Sequence, residues 1–199
     1  MADSAPISTL SIDLEAVLRR RKPDRRRAQL NPRATAELVR VDAVSGLPGR
    51  PALVPDTSVY IHQAAGRLAP AARALVEGAL LSHCSVCLGE LAVGLAGHDV
   101  TASNWSATRN HFGELFARIP SSRLLVPDTG VWIEAGVIAG TLARIQRFQP
   151  NQRQECLNDA LIYLAAAGAG LPVLTANRRD FDLIQQLAPE GAFIFYEPL

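Results

Sequence analysis

The sequence is poor in cysteine, in lysine and in long apolar stretches, and each scarcity excludes a class of protein. Its 199 residues include three cysteines, an odd number that suits a reducing compartment better than a disulfide framework. The longest apolar stretch, residues 160–174, is shorter than the roughly 20 residues that span a bilayer. No apolar core precedes the arginine cluster within residues 1–30, which argues against a secretion signal. We therefore expect a cytoplasmic protein without a membrane segment.

One cysteine pair has the spacing of half a zinc site. The pattern is His83-Cys84-x-x-Cys87, but a structural zinc ion needs four ligands. The only other cysteine, Cys156, has no neighbouring histidine or cysteine that would complete the set. We predict that the three thiols are buried as small hydrophobic groups.

Charge divides the chain into a basic arm and a slightly acidic remainder. Residues 1–50 hold ten Lys or Arg and six Asp or Glu, so the net charge of the arm is +4 and that of residues 51–199 is −3. A Pro- and Gly-punctuated stretch closes the arm and is typical of a linker. We predict a basic arm and linker over residues 1–51 and one folded domain over 52–199. Short helices are conceivable at 10–18 and 34–41. The arm either binds RNA through its arginines, docks an acidic partner or stays disordered.

Strand-length apolar runs alternate with helical patterns from residue 52 onward. The runs lie at 53–54, 80–85, 124–126, 173–175 and 193–196. The helical patterns lie at 58–65, 71–79, 86–96, 103–119, 131–148, 153–169 and 179–187. This alternation predicts an α/β fold with a mainly parallel sheet.

Acidic and amide residues follow several of these strands. Asp56 comes directly after the first strand, Glu90 lies one turn into the helix after the second, and Asn177 and Asp180 follow the fourth. Functional groups gather at the carboxyl ends of parallel strands. Asp159 is expected near the start of the helix that leads into the fourth strand, so the linear pattern does not place it at that edge. Each acid also has an ordinary explanation as a helix cap, a helix-start charge or a solvated residue.

Four motifs occur in an order that resembles a known nuclease family. They are PDTSVYI at 55–61, SVCLGEL at 85–91, NDALI at 158–162 and TANRRDF at 175–181. Together they resemble PIN-domain ribonucleases, specifically the VapC-type toxins of toxin–antitoxin pairs, over residues 52–197. The resemblance implies a three-layer α/β/α fold with a parallel five-stranded sheet, to which this chain adds its basic N-terminal extension.

The resemblance also implies a metal-dependent active site. The acidic set would be Asp56, Glu90, Asp159 and Asp180, with Asn177 orienting a ligand or water and competing with Asp180 for the fourth place. Crowded carboxylates repel one another, so a divalent cation would stabilise them, and their hard oxygens suit Mg²⁺ or Mn²⁺. We expect Asp56 and Asp159 to bind the metal directly. The candidates for contacts with RNA phosphates are Ser58, Arg178 and Arg179.

The motif around Asp56 has a near copy later in the chain. Residues 53–61 recur at 125–133 with seven of nine positions identical, so Asp128 stands where Asp56 does. Each aspartate can cap the helix that follows it. Spacing alone does not separate the two, but Ser58 and the other acids of the family pattern accompany only Asp56. We therefore assign Asp128 to capping and Asp56 to the active site.

The resemblance implies partners and leaves a non-enzymatic alternative. An RNA substrate, a small cognate antitoxin and a homodimer are the expected partners. The alternative is a catalytically inactive PIN-like module that binds RNA or a partner protein. A haloacid-dehalogenase-like phosphatase is disfavoured, because Ser58 replaces its usual second aspartate and the only lysine, Lys22, lies in the arm.

Overall fold

Alternating strands and helices form a parallel α/β fold in the computed structural model, which describes residues 13–46 and 49–199. The strands are β1 Ala52–Pro55, β2 Leu80–Leu81, β3 His83–Cys84, β4 Leu124–Leu125, β5 Val173–Thr175 and β6 Phe193–Phe195. The helices are α1 Leu14–Arg21, α2 Thr57–Ala64, α3 Pro70–Gly78, α4 Ser85–Ala96, α5 Trp105–Ala117, α6 Thr129–Gln146, α7 Pro150–Gly168 and α8 Arg178–Leu187. No helix in the described ranges has the length and apolar character that crossing a bilayer requires.

The main sheet has four parallel strands rather than the predicted five. Its order is β2-β1-β5-β6, with Leu53 opposite Leu81 and Val54 opposite Val173. The predicted strand 80–85 divides at Ser82, whose backbone N–H donates to the Leu53 carbonyl at 3.0 Å. Its first half therefore stays with β1, while β3 pairs with β4 in a separate two-stranded parallel sheet. The parallel arrangement is confirmed, and the strand count is corrected.

All seven helices predicted after residue 52 are present, with ends within three residues of the prediction. Local sequence explains several of the starts. Proline, which has no N–H to leave unpaired, opens α3 at Pro70 and α7 at Pro150. Side-chain oxygens of Asp56, Asp128 and Asn177 cap α2, α6 and α8. Prolines and capping side chains therefore fix where these five helices begin.

Adjacent residues of one strand pack into two separate hydrophobic cores. Val54 and Val173 pack with α4, α6, α7 and α8, whereas Leu53 and Leu174 pack with α2 and α3. Side chains of a strand alternate between the faces of the sheet, so each face of the sheet carries its own helical layer. The three-layer α/β/α architecture is confirmed. The cysteines are buried as predicted, each at 2% exposure or less.

The described part of the basic arm packs against the domain instead of acting as a free linker. Helix α1 lies on α6, and Val41 is buried in the core that contains Leu53. The Val39 carbonyl accepts a hydrogen bond from the Phe195 N–H at 3.0 Å, so the arm covers the β6 edge of the main sheet. The predicted helix at 34–41 is a 3-10 turn, Thr35–Glu37, followed by extended chain. The helix predicted at 10–18 is found as α1, and its residues 10–12 lie outside the described ranges.

Buried ion pairs fasten the arginine cluster to the domain. Arg21 is 5% exposed, and its Nε lies 2.6 Å from Glu134 Oε1 on α6. Its Nη1 donates to the Leu187 carbonyl at 3.1 Å and to Glu190 Oε2 at 3.0 Å. Arg20 Nε also reaches Glu134 Oε1, at 2.8 Å. These two cations are neutralised within the chain, so the disordered alternative is wrong for this segment.

Replacing Arg21 with methionine is expected to lower the free energy of unfolding by about 3 kcal/mol, because removing one partner of a buried pair leaves carboxylates uncompensated. The matched control is Arg19→Met, which breaks an exposed pair with Asp13 and should cost less than about 1 kcal/mol. Urea unfolding of both variants measures the difference. Equal costs would show that the buried pairs do not fasten the arm.

Candidate active site

Asp56 is held at the carboxyl end of β1 by hydrogen bonds from three neighbours. Strand β1 ends at Pro55, and the Asp56 N–H donates to the Leu174 carbonyl of β5 at 2.9 Å. The carboxylate accepts from the Thr57 N–H at 2.7 Å, the Ser58 hydroxyl at 2.7 Å and the Thr175 hydroxyl at 2.8 Å. Asp56 is only 4% exposed. It therefore combines a capping position with burial at the edge of the sheet.

Glu90 lies on α4 and joins the α2 and α7 sides of the site. Its carboxylate accepts from the Thr57 hydroxyl and from Asn158 Nδ2, the latter at 2.8 Å. Helix α4 follows β3 without a loop, so Glu90 comes one and a half turns after the end of that strand. The position agrees with the edge expected from the sequence, and the ordinary explanation as a fully solvated helix residue is wrong.

Asp159 reaches the site from the middle of α7 and not from its start. The helix begins at Pro150, and Asp159 is 8% exposed within it. Asn177 Nδ2 donates to Asp159 Oδ2 at 2.9 Å and to Asp180 Oδ2 at 3.0 Å. Explanations of Asp159 as a helix-start charge and of Asp180 as a cap are both wrong, because Asn177 is the residue that caps α8.

Thr175 connects these carboxylates into one hydrogen-bonded network. Its hydroxyl donates to Asp56 and accepts from the Asn177 N–H at 2.8 Å. The network thus runs from Glu90 through Thr57 to Asp56, and from there through Thr175 and Asn177 to Asp159 and Asp180. Three of its members, Thr57, Asn158 and Thr175, were not among the predicted site residues. Their position beside the acids within the four motifs is the signal that could have identified them.

Burial and mutual repulsion raise the pKa of the two buried acids of this network. Burial raises the pKa of Asp159 well above its ordinary value, and the carboxylates of Asp56, Asp180 and Glu90 raise it further. Burial also raises the pKa of Asp56, although hydrogen bonds from Ser58, Thr175 and Thr57 oppose the shift, and Glu90 adds to it. These carboxylates affect one another's pKa because they lie in one region of the molecule.

The donor types suit a hard divalent cation, but the ligand set is not assembled. Carboxylate oxygens are the ligands that Mg²⁺ and Mn²⁺ prefer. Within residues 13–46 and 49–199, no three side chains of His, Cys, Asp or Glu stand in an arrangement that could hold a metal ion. The oxygens of Asp56, Glu90 and Asp159 accept hydrogen bonds from neighbours instead. Metal binding therefore stays a prediction for Asp56, Glu90, Asp159 and Asp180. It requires that their oxygens exchange these hydrogen bonds for bonds to the cation.

The three phosphate-binding candidates occupy different environments. Ser58 donates to Asp56 and accepts from the Ala176 N–H at 3.1 Å, so it orients the carboxylate. Arg178 donates to the Thr35 hydroxyl of the arm and lies over the Phe195 ring, 5.7 Å from its centroid. Arg179 is exposed. Of the three, Arg179 has the most freedom to meet a phosphate.

A cavity of about 710 Å³ adjoins the acids where Glu90 and Asn158 form part of its wall. Its remaining lining is mostly apolar and includes Val93, Val126 and Trp132. Trp132 is 48% exposed. The acidic network therefore borders a mostly apolar recess.

Burial distinguishes the two copies of the repeated motif. The Asp128 carboxylate accepts from the Val131 N–H at 2.8 Å, as a cap should. Asp128 is exposed, whereas Asp56 is buried and bonded to Thr175 of another element. The two aspartates share a local turn and differ in what packs over it. The prediction that Asp128 is a cap is confirmed.

Comparison with known proteins supports the fold. No protein-family model and no curated protein matches the sequence. The structure of VapBC2 from Rickettsia felis bound to a DNA fragment from their promoter contains a similar chain, with 14% identity and a TM-score of 0.52. The match covers 73% of this chain and 99% of that one. A chain of VapBC-5 from Mycobacterium tuberculosis, a toxin–antitoxin system, is 24% identical over 73% of this chain and 98% of that one, with a TM-score of 0.46. The first likeness shows that the chain shares the fold of a VapBC component, as the motifs implied.

The two aspartates of the repeat provide a matched test of the site. In Asp56→Asn we expect loss of any RNA cleavage with the fold retained, because asparagine preserves shape and removes the charge. Asp128→Asn should cleave like the unmodified chain, and Asp128→Ala should lower the free energy of unfolding by about 1 kcal/mol through loss of the cap. Cleavage assays with circular dichroism as a fold check measure both. Loss of cleavage in Asp128→Asn with retention in Asp56→Asn would reverse the assignment.

Proposed function

We propose that the protein is a metal-dependent ribonuclease that hydrolyses RNA phosphodiester bonds. The observation that carries this proposal is the network of four carboxylates at the edge of the parallel sheet, with Asp56 and Asp159 held in mostly buried positions. Bringing four acids into one region lowers the free energy of unfolding. A cost of this kind is typical of a functional site. The shared fold with a VapBC component supports the same assignment.

The metal proposed for this site is Mg²⁺ or Mn²⁺. Asp56 and Asp159 would hold it directly, with Glu90 and Asp180 accepting hydrogen bonds from its waters and Asn177 fixing the orientation of Asp159 and Asp180. When bound, the cation supplies a Lewis acid that lowers the pKa of water and neutralises charge on phosphate oxygens. Its positive charge would also let the buried carboxylates release their protons.

The side chains of the chain itself then have separate tasks. Ser58 and Thr175 keep the Asp56 carboxylate at the sheet edge, and Asn158 keeps Glu90 facing the cavity. A carboxylate not used in metal binding accepts the proton of the attacking water. No nucleophilic side chain is needed. Arg179, exposed beside this group, would contact a phosphate and position the RNA.

The biological role that we propose is that of a toxin in a cytoplasmic toxin–antitoxin pair. The two similar structures are complexes or members of VapBC systems, so a second small protein would regulate this chain. The cavity beside Glu90 has exposed apolar side chains, and contiguous exposed apolar surface is typical of protein contacts. An antitoxin and a second copy of the chain are the partners that we propose.

One observation favours a catalytically inactive module instead. The acids use their oxygens in hydrogen bonds within the chain, and no ligand set is assembled among the described residues. A network of this kind holds a fold together without any metal. Such a module would bind RNA or a partner protein and leave RNA intact.

Incubation of the purified protein with a panel of RNAs, with and without Mg²⁺ or Mn²⁺, separates these two functions. The ribonuclease proposal predicts cleavage that needs the cation, stops in chelator and falls at least about 100-fold in Asp159→Asn, since a catalytic metal contributes several kcal/mol. The control is Glu77→Gln, which removes an exposed carboxylate on α3, against the other face of the sheet, and should cleave normally. RNA binding without cleavage would favour the inactive module. Cleavage that persists in chelator or in Asp159→Asn would contradict a metal-dependent site.

A further inference from the structure

A short piece of the arm, residues 31–35, runs along α8 and contacts it at successive turns. The Arg33 N–H donates to Asp182 Oδ2 at 2.7 Å, and Arg33 Nε donates to Asp182 Oδ1 at 2.5 Å. The Asn31 carbonyl accepts from Gln186 Nε2 at 3.0 Å. The arm therefore holds α8 through polar contacts of fixed direction.

The Arg33–Asp182 pair is the strongest of these contacts. The Asp182 side chain is 1% exposed, and Arg33 is the only cation within ion-pair distance of it in the described ranges. The Arg33 guanidinium also donates to Gln185, one turn along the same face. Gln186 Nε2 also donates to Asp182 Oδ2, at 3.2 Å, but it carries no charge. A buried carboxylate without a counter-charge is costly, so the native position of α8 depends on this arginine.

The first turn of α8 carries the residues that join the acids. Asn177 caps the helix, and its side-chain amide nitrogen donates to Asp159 of α7 and to Asp180 of α8 itself. Asp182, held by Arg33, lies two residues after Asp180 on a helix of only ten residues. Hydrogen bonds weaken steeply as they lengthen or bend, so a small rotation of α8 would break the link to Asp159.

Near its carboxyl end α8 is also held by hydrogen bonds, from Arg21 to the Leu187 carbonyl at 3.1 Å and from Gln185 to the Gly191 carbonyl at 3.0 Å. Its remaining contacts are less directional. Its buried apolar side chains, among them Phe181 and Ile184, pack into the core shared with α6 and α7. Apolar packing resists separation but has no preferred direction of its own. The charged and amide contacts from residues 31–35 add the orientation that packing lacks.

We propose that Arg33 is a positioning residue that acts through Asp182 to hold α8 where Asn177 bonds both Asp159 and Asp180. Its effect on catalysis rests on the proposed ribonuclease function. Its effect on the geometry of Asn177 does not. The basic arm is then part of the site's framework, and at least one of its arginines serves α8 instead of RNA.

The test compares Arg33→Met with Arg40→Met in the full chain. Arg40 is a second arginine of the arm, and its partners are the exposed acids Asp42 and Glu197 instead of α8. The first measurement is the NMR resonance of the Asn177 side-chain amide, which should be protected from hydrogen exchange in the unmodified chain. Arg33→Met should lose this protection and Arg40→Met should keep it.

The second measurement is RNA cleavage under the conditions that support it. Arg33→Met should lower kcat roughly 10- to 100-fold, as loss of an outer-shell partner does, with little change in KM. If Arg33→Met does not fold, the double variant Arg33→Met/Asp182→Asn, which leaves no buried charge without a partner, takes its place with the same criteria. The proposal is overturned if the Asn177 side-chain amide of the folded variant keeps its protection from hydrogen exchange. If the unmodified chain cleaves no RNA, the proposed function fails, while the NMR result still decides the role of Arg33.

Discussion

Two buried carboxylates that repel each other set the constraint on which this structure depends. Asp56 and Asp159 come from different elements, and burial raises the pKa of both. Holding them close costs free energy that packing alone does not return. The structure compensates with hydrogen bonds from Ser58, Thr175 and Asn177, and those residues in turn fix where β1, β5 and α8 meet. The same crowding of acids supports the proposal that a divalent cation binds there.

Much of the fold follows from periodicity and local signals in the sequence. The strand segments and helices after residue 52 are found close to where apolar runs and helical patterns predicted them. The break at Ser82 could not be read from the sequence, because no glycine or proline interrupts the run 80–85. Its division depends on which neighbour each half meets, β1 or β4, and that is a tertiary choice.

The site was predictable in its acids and less so in what holds them. Asp56 and Asp128 have nearly the same local sequence, and only the packing of β5 over Asp56 separates them. Thr57, Asn158 and Thr175 are ordinary polar residues until their partners are known. Local sequence was least informative in the arm. Its arginines left RNA binding, an acidic partner and disorder open, whereas Arg21 and Arg33 pair with Glu134, Glu190 and Asp182 far along the chain. Ion pairs across such separations leave no local pattern.

The dependence of the free energy of unfolding on pH, measured without divalent cations, tests the central constraint most directly. A carboxyl group whose pKa is raised on folding binds its proton more tightly in the folded state, so stability falls as pH rises above the unfolded value of about 4. We predict this decline in the unmodified chain. Asp159→Asn should show a flatter profile and a higher free energy of unfolding near neutral pH. Addition of Mg²⁺ should restore the free energy of unfolding that the unmodified chain loses as pH rises. Superimposable profiles for the two proteins, with no effect of Mg²⁺, would contradict the account.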